Sequence, residues 1–437
     1  MHAEITELDA RALYFVSYDG LVNTASFQRE GLLTRAGRQY AVWYAADRTA
    51  KLARRELPGG AWESVALPHA LSVDDSHNVV CLGISPADGR LHVMMDSHSS
   101  GFTYVAVDGD RIGRPAATLG GLELTGAFTY PQFLVTPEGR LQMAYRIGVS
   151  GDGQAALAEY DVDETGRGTW TDLGPWSSNQ GTYSTLYGSS RTRNLYLHGM
   201  DYGPDATLHV FGTWREGDAS VLRDSKARGL TNHDIVYLRS KDRGRTWRNA
   251  ASEVVGACGT RPVGVHARGI VALPLGPDHA LMNQESQAVD SEGRPHALVS
   301  YIPPDLRPAT ADYAIGRALH AWVHHLWLGH DGIWNSAALP IPPHSTQRTA
   351  LLFDRRDTAY AVLPFGRVLA ATAAASWSDW RLVFDGPGAG LGAFGEVVVD
   401  RTRLAHDNVL SFMYQRFSEG SAPSALRVLD LELDAPY

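Results

Sequence analysis

Short runs that alternate apolar and polar residues, each opened by a tight-turn pair, set the rhythm of this chain. Asp88-Gly89-Arg90-Leu91-His92-Val93-Met94 reads as a turn feeding a strand, and Glu138-Gly139-Arg140-Leu141-Gln142-Met143-Ala144 repeats it. Pro204-Asp205-Ala206-Thr207-Leu208-His209-Val210 and Glu292-Gly293-Arg294-Pro295-His296-Ala297-Leu298 follow the same scheme. Weaker copies stand at Arg356-Asp357-Thr358-Ala359-Tyr360-Ala361-Val362 and Asp407-Asn408-Val409-Leu410-Ser411-Phe412. Period-two alternation after a turn pair is the signature of a half-buried strand entered from a hairpin. Copies at intervals of roughly 50–85 residues predict a repeat architecture built from small sheets. A propeller blade is such a unit, and seven blades of about 62 residues each, with long loops on one face, account for the length. Six blades are the alternative. No long amphipathic helix interrupts the pattern, and the Ala-rich stretch from Leu369 to Ala375 is expected in a strand of a late blade. The proline-rich segment from Tyr301 to Thr310 is expected to be a surface loop, so that residues 1–437 make one all-β, single-domain propeller.

One motif sharpens this expectation. Ser240-Lys241-Asp242-Arg243-Gly244-Arg245-Thr246-Trp247 fits the Asp-box pattern S-x-D-x-G-x-T-W. Its parts describe a hairpin turn: the aspartate satisfies turn donors, the glycine takes positive φ, and the tryptophan packs beneath. Its expected role is structural.

Composition narrows the choice of partner. The formal net charge is −9, with 20% charged and 44% hydrophobic residues. An acidic chain lacks the dominant basic surface that nucleic acid demands, although a local basic pocket can still focus an anion. No run of about 18 apolar residues predicts a membrane span. The opening MHAEITELDARALYF lacks the basic and apolar regions of a signal peptide, so a cytoplasmic protein or a secreted one with its signal removed is expected. The two cysteines, Cys81 and Cys258, form no disulfide framework or paired zinc motif; Cys81, inside Val79-Val80-Cys81-Leu82, is expected in the core.

Polar groups placed beside apolar strand runs are the candidates for chemistry. Asp74-Asp75-Ser76-His77-Asn78 precedes one such run, and His98 follows the next at the end of Met94-Met95-Asp96-Ser97. If the two strands are neighbours, His77 and His98 can face one pocket. Thr129-Tyr130-Pro131-Gln132 precedes Tyr145-Arg146, whose side chains take opposite faces of a strand. Arg215, in Thr213-Trp214-Arg215-Glu216, and the pair Asn232-His233 flank a further strand pair, and Asn283-Gln284-Glu285 offers a hydrogen-bonding row. His320, His324 and His325 invite a metal reading, but no carboxylate stands at ligand spacing.

These segments together resemble the Asp-box (BNR) repeat propellers that include the ulvan lyases and the related rhamnose–glucuronate lyases. The resemblance runs over residues 70–300 and rests on Ser76-His77-Asn78, His98, Thr129-Tyr130-Pro131, Tyr145-Arg146-Ile147-Gly148, Thr213-Trp214-Arg215-Glu216, Asn232-His233-Asp234 and Asn283-Gln284-Glu285. It implies a polysaccharide lyase acting on an acidic, uronic-acid-containing glycan by β-elimination. His77 and His98 then correspond to the pocket histidines, and Tyr145 to the catalytic tyrosine, with Tyr130 and Tyr183 as competitors. Arg215, or else Arg146, would neutralise the uronate, and Asn78, Asn232, His233 and Gln284 would line the substrate. The resemblance calls for no organic cofactor and admits a structural divalent cation, calcium or zinc. Some members hold zinc through His and Cys ligands, and here Cys258 stands between His233 and His266 without a second cysteine. The competing classes are a sialidase-like glycoside hydrolase, for which Asp74, Asp75, Asp96 and Glu285 are available carboxylates, and a non-catalytic glycan-binding propeller. No FRIP-like segment near the N-terminus supports the sialidase.

Overall fold

The computed structural model describes residues 2–25, 27, 29–110, 112, 126–224, 231–306 and 313–433. Each of the six turn-led repeats becomes a strand in the same structural position, paired antiparallel with the inner strand that precedes it in the chain: Arg90–Met95, Leu141–Val149, Leu208–Glu216, Pro295–Tyr301, Ala359–Leu363 and Val409–Gln415. Their turns work as the sequence implies. Asp205 Oδ1 accepts from Thr207 N at 3.0 Å and Asp354 Oδ1 from Thr358 N at 2.9 Å, while Gly89, Gly139 and Gly293 take positive φ.

The described strands fall into seven antiparallel sheets. Apolar residues of adjacent sheets interlock, as Val42 and Leu52 do with Leu82 and Val93, and Leu352 and Val362 with Leu410 and Leu429. The ring closes where the N-terminal strand His2–Ala12 pairs with Ser424–Glu432, from His2 against Glu432 to Ala12 against Ser424, with register shifts after Glu7 and after Asp9. There Trp43 of the next sheet packs against Val398, Met413 and Val428. The fold is an all-β propeller. Six of its sheets carry four or more strands, whereas Cys81–Ile84, Arg90–Met95 and Thr103–Asp108 form a sheet of three among the described residues. Six complete blades therefore stand where the expectation favoured seven.

The Asp box is a packing device. Asp242 Oδ1 accepts from Ser240 Oγ and from Thr246 N, both at 2.7 Å; Gly244 sits at φ +83°, and Trp247 is fully buried with its ring 4.4 Å from that of Trp176 in the preceding blade. The Ala-rich stretch splits into the strand Arg367–Ala371 and a 3₁₀ turn at Ala373–Ala375. Of the predicted loop, Tyr301 ends a strand, 302–306 are irregular and 307–310 lie outside the described residues.

The inner strands run in one direction around a central channel. Their C-terminal ends line a cavity of about 720 Å³, among them Thr34, Ile84, Val135, Asp201 and Leu352. The loops that enter the same strands gather at the other end, and the candidate site is built there.

Candidate active site

Two chain bends bring the early histidines together. Asp75 forms a tight turn in which its Oδ1 accepts from His77 N at 2.9 Å and its carbonyl from Asn78 N at 3.1 Å. After the strand Arg90–Met95, Asp96 and Ser99 take φ of +54° and +53°. The chain thereby leaves its own sheet, and His98–Ser100 pairs instead with Phe128–Val135 of the next blade, His98 opposite Thr129. Asp75 is then shared: Oδ1 lies 2.7 Å from His77 Nδ1 and Oδ2 2.7 Å from His98 Nδ1. The two imidazoles stack with centroids 4.6 Å apart. Phe27 is parallel to His77 at 5.3 Å, and Tyr18 meets it edge-on at 4.5 Å.

Tyr130 completes the group. It follows a register shift between Thr129 and Gln132, has φ +57°, and places its ring 5.9 Å from His77 and 6.0 Å from His98. The Arg146 guanidinium carbon lies 5.1 Å from the centre of that ring and 5.8 Å from the centre of Tyr196, within cation–π range of both. Its Nη2 donates to Thr129 Oγ1 at 2.9 Å, while its buried Nε has no partner. Gln284, buried at φ +54°, lines the same small void as Tyr130, Arg146 and Tyr196.

Electrostatics follows from this crowding. Burial raises the Asp75 carboxyl, but the hydrogen bonds from His77 and His98 outweigh it and hold the group well below the usual carboxylate range. Burial lowers the His77 imidazole; Asp75 opposes the shift, and the charges of His98 and Arg348 reinforce it. His77 is thus neutral at physiological pH, with Nδ1 engaged and Nε2 left as its other ring nitrogen. Burial drives the Tyr130 phenol up. For Tyr196 burial acts in the same sense, but Arg146 and Arg215 carry it below its ordinary value.

The other expected residues divide. Asn78 is buried beside the histidine turn. Arg215 is half-buried and reaches the site through its charge on Tyr196. Asn232 lies opposite Arg215 in register, with Nδ2 donating to Leu281 O at 2.7 Å and a buried, unpartnered Oδ1. Tyr145 borders the same small void, but its hydroxyl does not reach the histidines. Strand alternation turns it away from Arg146 into a cluster with Phe102 and Phe128, where it donates to Asp172 Oδ1 at 2.8 Å. His233 and Tyr183 also form a separate group. Their rings stack at 3.8 Å, and fully buried His233 lies 3.1 Å from both Glu216 Oε1 and Asp234 Oδ2, with Glu216 held by Arg193. Burial lowers His233, but Asp234 and Glu216 raise it overall.

Cys258 gathers no ligand set: its thiol donates to Gly174 O at 3.1 Å, His266 Nε2 meets Thr182 O at 2.6 Å, and His233 is already engaged. His324 and His325 take opposite faces of one strand, stacking on Tyr301 and on His296. Among the described residues, Asp75, His77 and His98 are the group whose ligand atoms, all within 4.8 Å of one another, could hold a metal ion. Their Nδ1 atoms are spent on Asp75.

Two contributors came from outside the expected set. Arg348, half-buried, stands over Phe27 at 5.2 Å, donates to Asn283 O at 2.9 Å and pairs with Glu396 at 3.2 Å. Tyr196 comes from the strand Ser189–Tyr202. No motif marks either residue.

A family model described as BNR repeat-containing family member matches residues 38–339, more than half of the chain. The chain belongs to the BNR repeat-containing family. It is similar to the long isoform of ulvan lyase from Alteromonas sp. (strain LOR), 23% identical over an alignment of 266 residues that covers 49% of this chain and 25% of that protein. The corresponding protein of Pseudoalteromonas sp. (strain PLSV) is 22% identical over the same shares. The chain thus spans about a quarter of the length of these curated relatives. Among solved structures it is similar to the polysaccharide lyase Uly1, with TM-score 0.69, 17% identity and 99% of each chain covered. A PL25 ulvan lyase bound to -[GlcA(1-4)Rha3S]- gives TM-score 0.66 and 12% identity over 96% of this chain and 94% of that one. At these identities the two structures establish the family's propeller fold in this chain.

Proposed function

We propose that the protein is a polysaccharide lyase that cleaves a uronic-acid-containing glycan by β-elimination. The observation that carries this reading is the single carboxylate of Asp75 orienting two stacked histidines beside Tyr130 and Arg146. Elimination needs three services: removal of the C5 proton of the uronate, neutralisation of its carboxylate so that the C5 carbanion is tolerable, and protonation of the departing O4. A neutral histidine fixed through Nδ1 presents Nε2 as a general base; His77 takes that role, with His98 as its stacked partner. Arg146, itself buried, supplies fixed positive charge for the carboxylate. The Tyr130 hydroxyl delivers the proton to O4, which leaves with the electron pair of its bond to C4. The names of the similar proteins, ulvan lyases and a lyase bound to a glucuronate–rhamnose sulfate chain, support the substrate class.

A hydrolase needs two opposed, available carboxylates. Asp74 pairs with Arg48 at 2.6 Å, Asp96 holds His69 and Ser72 N, and Glu285 accepts from Ser300 Oγ at 2.7 Å. With Asp75 between the histidines, all four candidates are occupied.

The test is ultraviolet absorbance of the conjugated 4,5-unsaturated uronate during incubation with ulvan, rhamnose-capped arabinogalactan and other uronic-acid polysaccharides. A rise is expected on at least one. Reducing ends released without absorbance would replace the lyase with a hydrolase, and glycan bound without any product would replace it with a binding propeller.

A further inference from the structure

We propose that Tyr18 is a sugar-stacking platform at the mouth of this site, a specificity-determining residue for the pyranose ring next to the one that is cleaved; the inference rests on the lyase reading. Tyr18 is 73% exposed, whereas the other aromatic rings against the histidines, Phe27 and Tyr130, are 3% and 8% exposed. Lone exposed aromatics are common on protein surfaces, and three observations separate this one from them.

The first is contact. The Tyr18 and His77 rings form a T-shaped pair with centroids 4.5 Å apart, so the exposed ring borders the base itself. The second is backbone. Ser17 and Gly20 exchange both hydrogen bonds, at 3.1 and 2.9 Å, around a two-residue turn with Tyr18 at φ +50° and Asp19 at φ +60°. Such a turn favours Asn-Gly, and a bulky residue there is uncommon. Strain of this kind persists where the surroundings over-determine the conformation. The third is the clamp that does so. Ser76 Oγ donates to Ser17 O at 2.6 Å, Thr346 Oγ1 to Asp19 Oδ2 at 3.0 Å, and Gln347 Nε2 to Asp19 O at 2.9 Å. Ser76 adjoins His77 and Gln347 adjoins Arg348, so the turn is tied to both sides of the site.

A tyrosine held this way has few degrees of freedom left to lose on binding. Its ring offers an apolar face with a polar tip, which matches the C–H face and hydroxyl rim of a pyranose. Because it touches His77, the ring it stacks is the neighbour of the reacting uronate.

The experiment compares wild type, Tyr18→Phe and Tyr18→Asn; asparagine tolerates the left-handed turn, so the loop survives while the aromatic face goes. Glucuronate–rhamnose tetrasaccharides, sulfated and unsulfated, are titrated calorimetrically and assayed for elimination in parallel. Tyr18→Asn is expected to raise Kd and KM together by roughly two- to tenfold, the scale of one aromatic contact, with kcat changed less than twofold and Tyr18→Phe close to wild type. Unchanged Kd and KM in Tyr18→Asn, or a fall confined to kcat, would overturn the platform, the latter assigning Tyr18 to support of His77. Tetrasaccharide that binds wild type without elimination would instead overturn the lyase reading, and Kd alone would then judge the platform.

Discussion

His77 and His98 stack with ring centroids 4.6 Å apart and planes 19° from parallel. The carboxylate of Asp75 lies between their Nδ1 atoms, 2.7 Å from each. One acid thus sets tautomer and orientation for both imidazoles, from a position two residues ahead of the first.

Asp75→Asn tests that dependence. The amide keeps one acceptor, but it puts a donor against the second imidazole and removes the charge. The kcat of elimination is expected to fall about 100-fold or more, the scale of general-base catalysis, while KM changes little. The pH profile carries a second signature. His77 titrates below its ordinary value because burial outweighs Asp75. Activity therefore falls on the acid side as His77 gains a proton. Without Asp75 the opposing influence is gone, so the acid limb should move to lower pH. A limb that stays in place would detach His77 from the observed ionisation.

Tyr130→Phe and Tyr145→Phe separate the two tyrosines. Tyr130→Phe removes the hydroxyl beside both histidines and Arg146, and a loss of roughly 100- to 10,000-fold in kcat is expected. Tyr145→Phe removes only the bond to Asp172, near the surface. It should leave kcat within about twofold and cost about 1 kcal/mol or less in stability. Steady-state kinetics and a denaturant titration of both variants decide the assignment, and an inactive, stably folded Tyr145→Phe would restore the original one.

The preference for Tyr145 in the sequence has a physical explanation. Simple alternation predicts that Tyr145 and Arg146 part company, which they do, but it does not say which of them faces the channel. Tyr130 reaches the histidines only through a left-handed residue and a register shift, neither of which leaves a pattern in the residues. The same holds for His98, which crosses to the next blade through two positive-φ residues. Asn232 and His233 were expected together and occupy opposite faces, so His233 goes to the Glu216 group. The fold was more legible, because each turn pair and the Asp box act locally and recur. Arg348 precedes the strand Ala350–Phe353, in a blade whose turn-led copy is one of the weaker ones, and no local pattern marks Arg348 itself.

Trp247 gives a direct measure of what the Asp box contributes. It is fully buried beneath its turn and packs on Trp176 of the preceding blade. Trp247→Ala is expected to cost about 3–5 kcal/mol. Asp242→Ala, which removes acceptors from Ser240 and Thr246 N, should cost about 1 kcal/mol. Both losses belong to stability, read by chemical denaturation, and kcat of the folded fraction should stay near wild type, since the motif lies away from the histidine pair.

The buried histidines set a lower pH limit for the fold. Burial lowers His92, His209 and His324 to about 4 and His198 to about 3, the last helped by Arg29 and Arg348. His77, His296 and His325 are lowered as well, with burial the leading cause in each. In the unfolded chain each takes up a proton near pH 6.5, but in the native state only at lower pH, so the unfolded state binds more protons in between. Stability is therefore lost as pH falls from about 6.5 towards 4. Glu30 and Glu285 work the other way: burial raises both to about 7, so in that interval the native state holds protons that the unfolded state has released. Seven histidines against two glutamates decide the sign. Chemical denaturation at a series of pH values should show unfolding free energy declining below pH about 6.5, with net proton uptake on unfolding at pH about 5. His198→Asn, which removes a histidine with a buried, unpartnered Nε2, should flatten that decline by up to about one proton. A stability curve level from pH about 7 to 4 would mean that these imidazoles are not held neutral in the native protein.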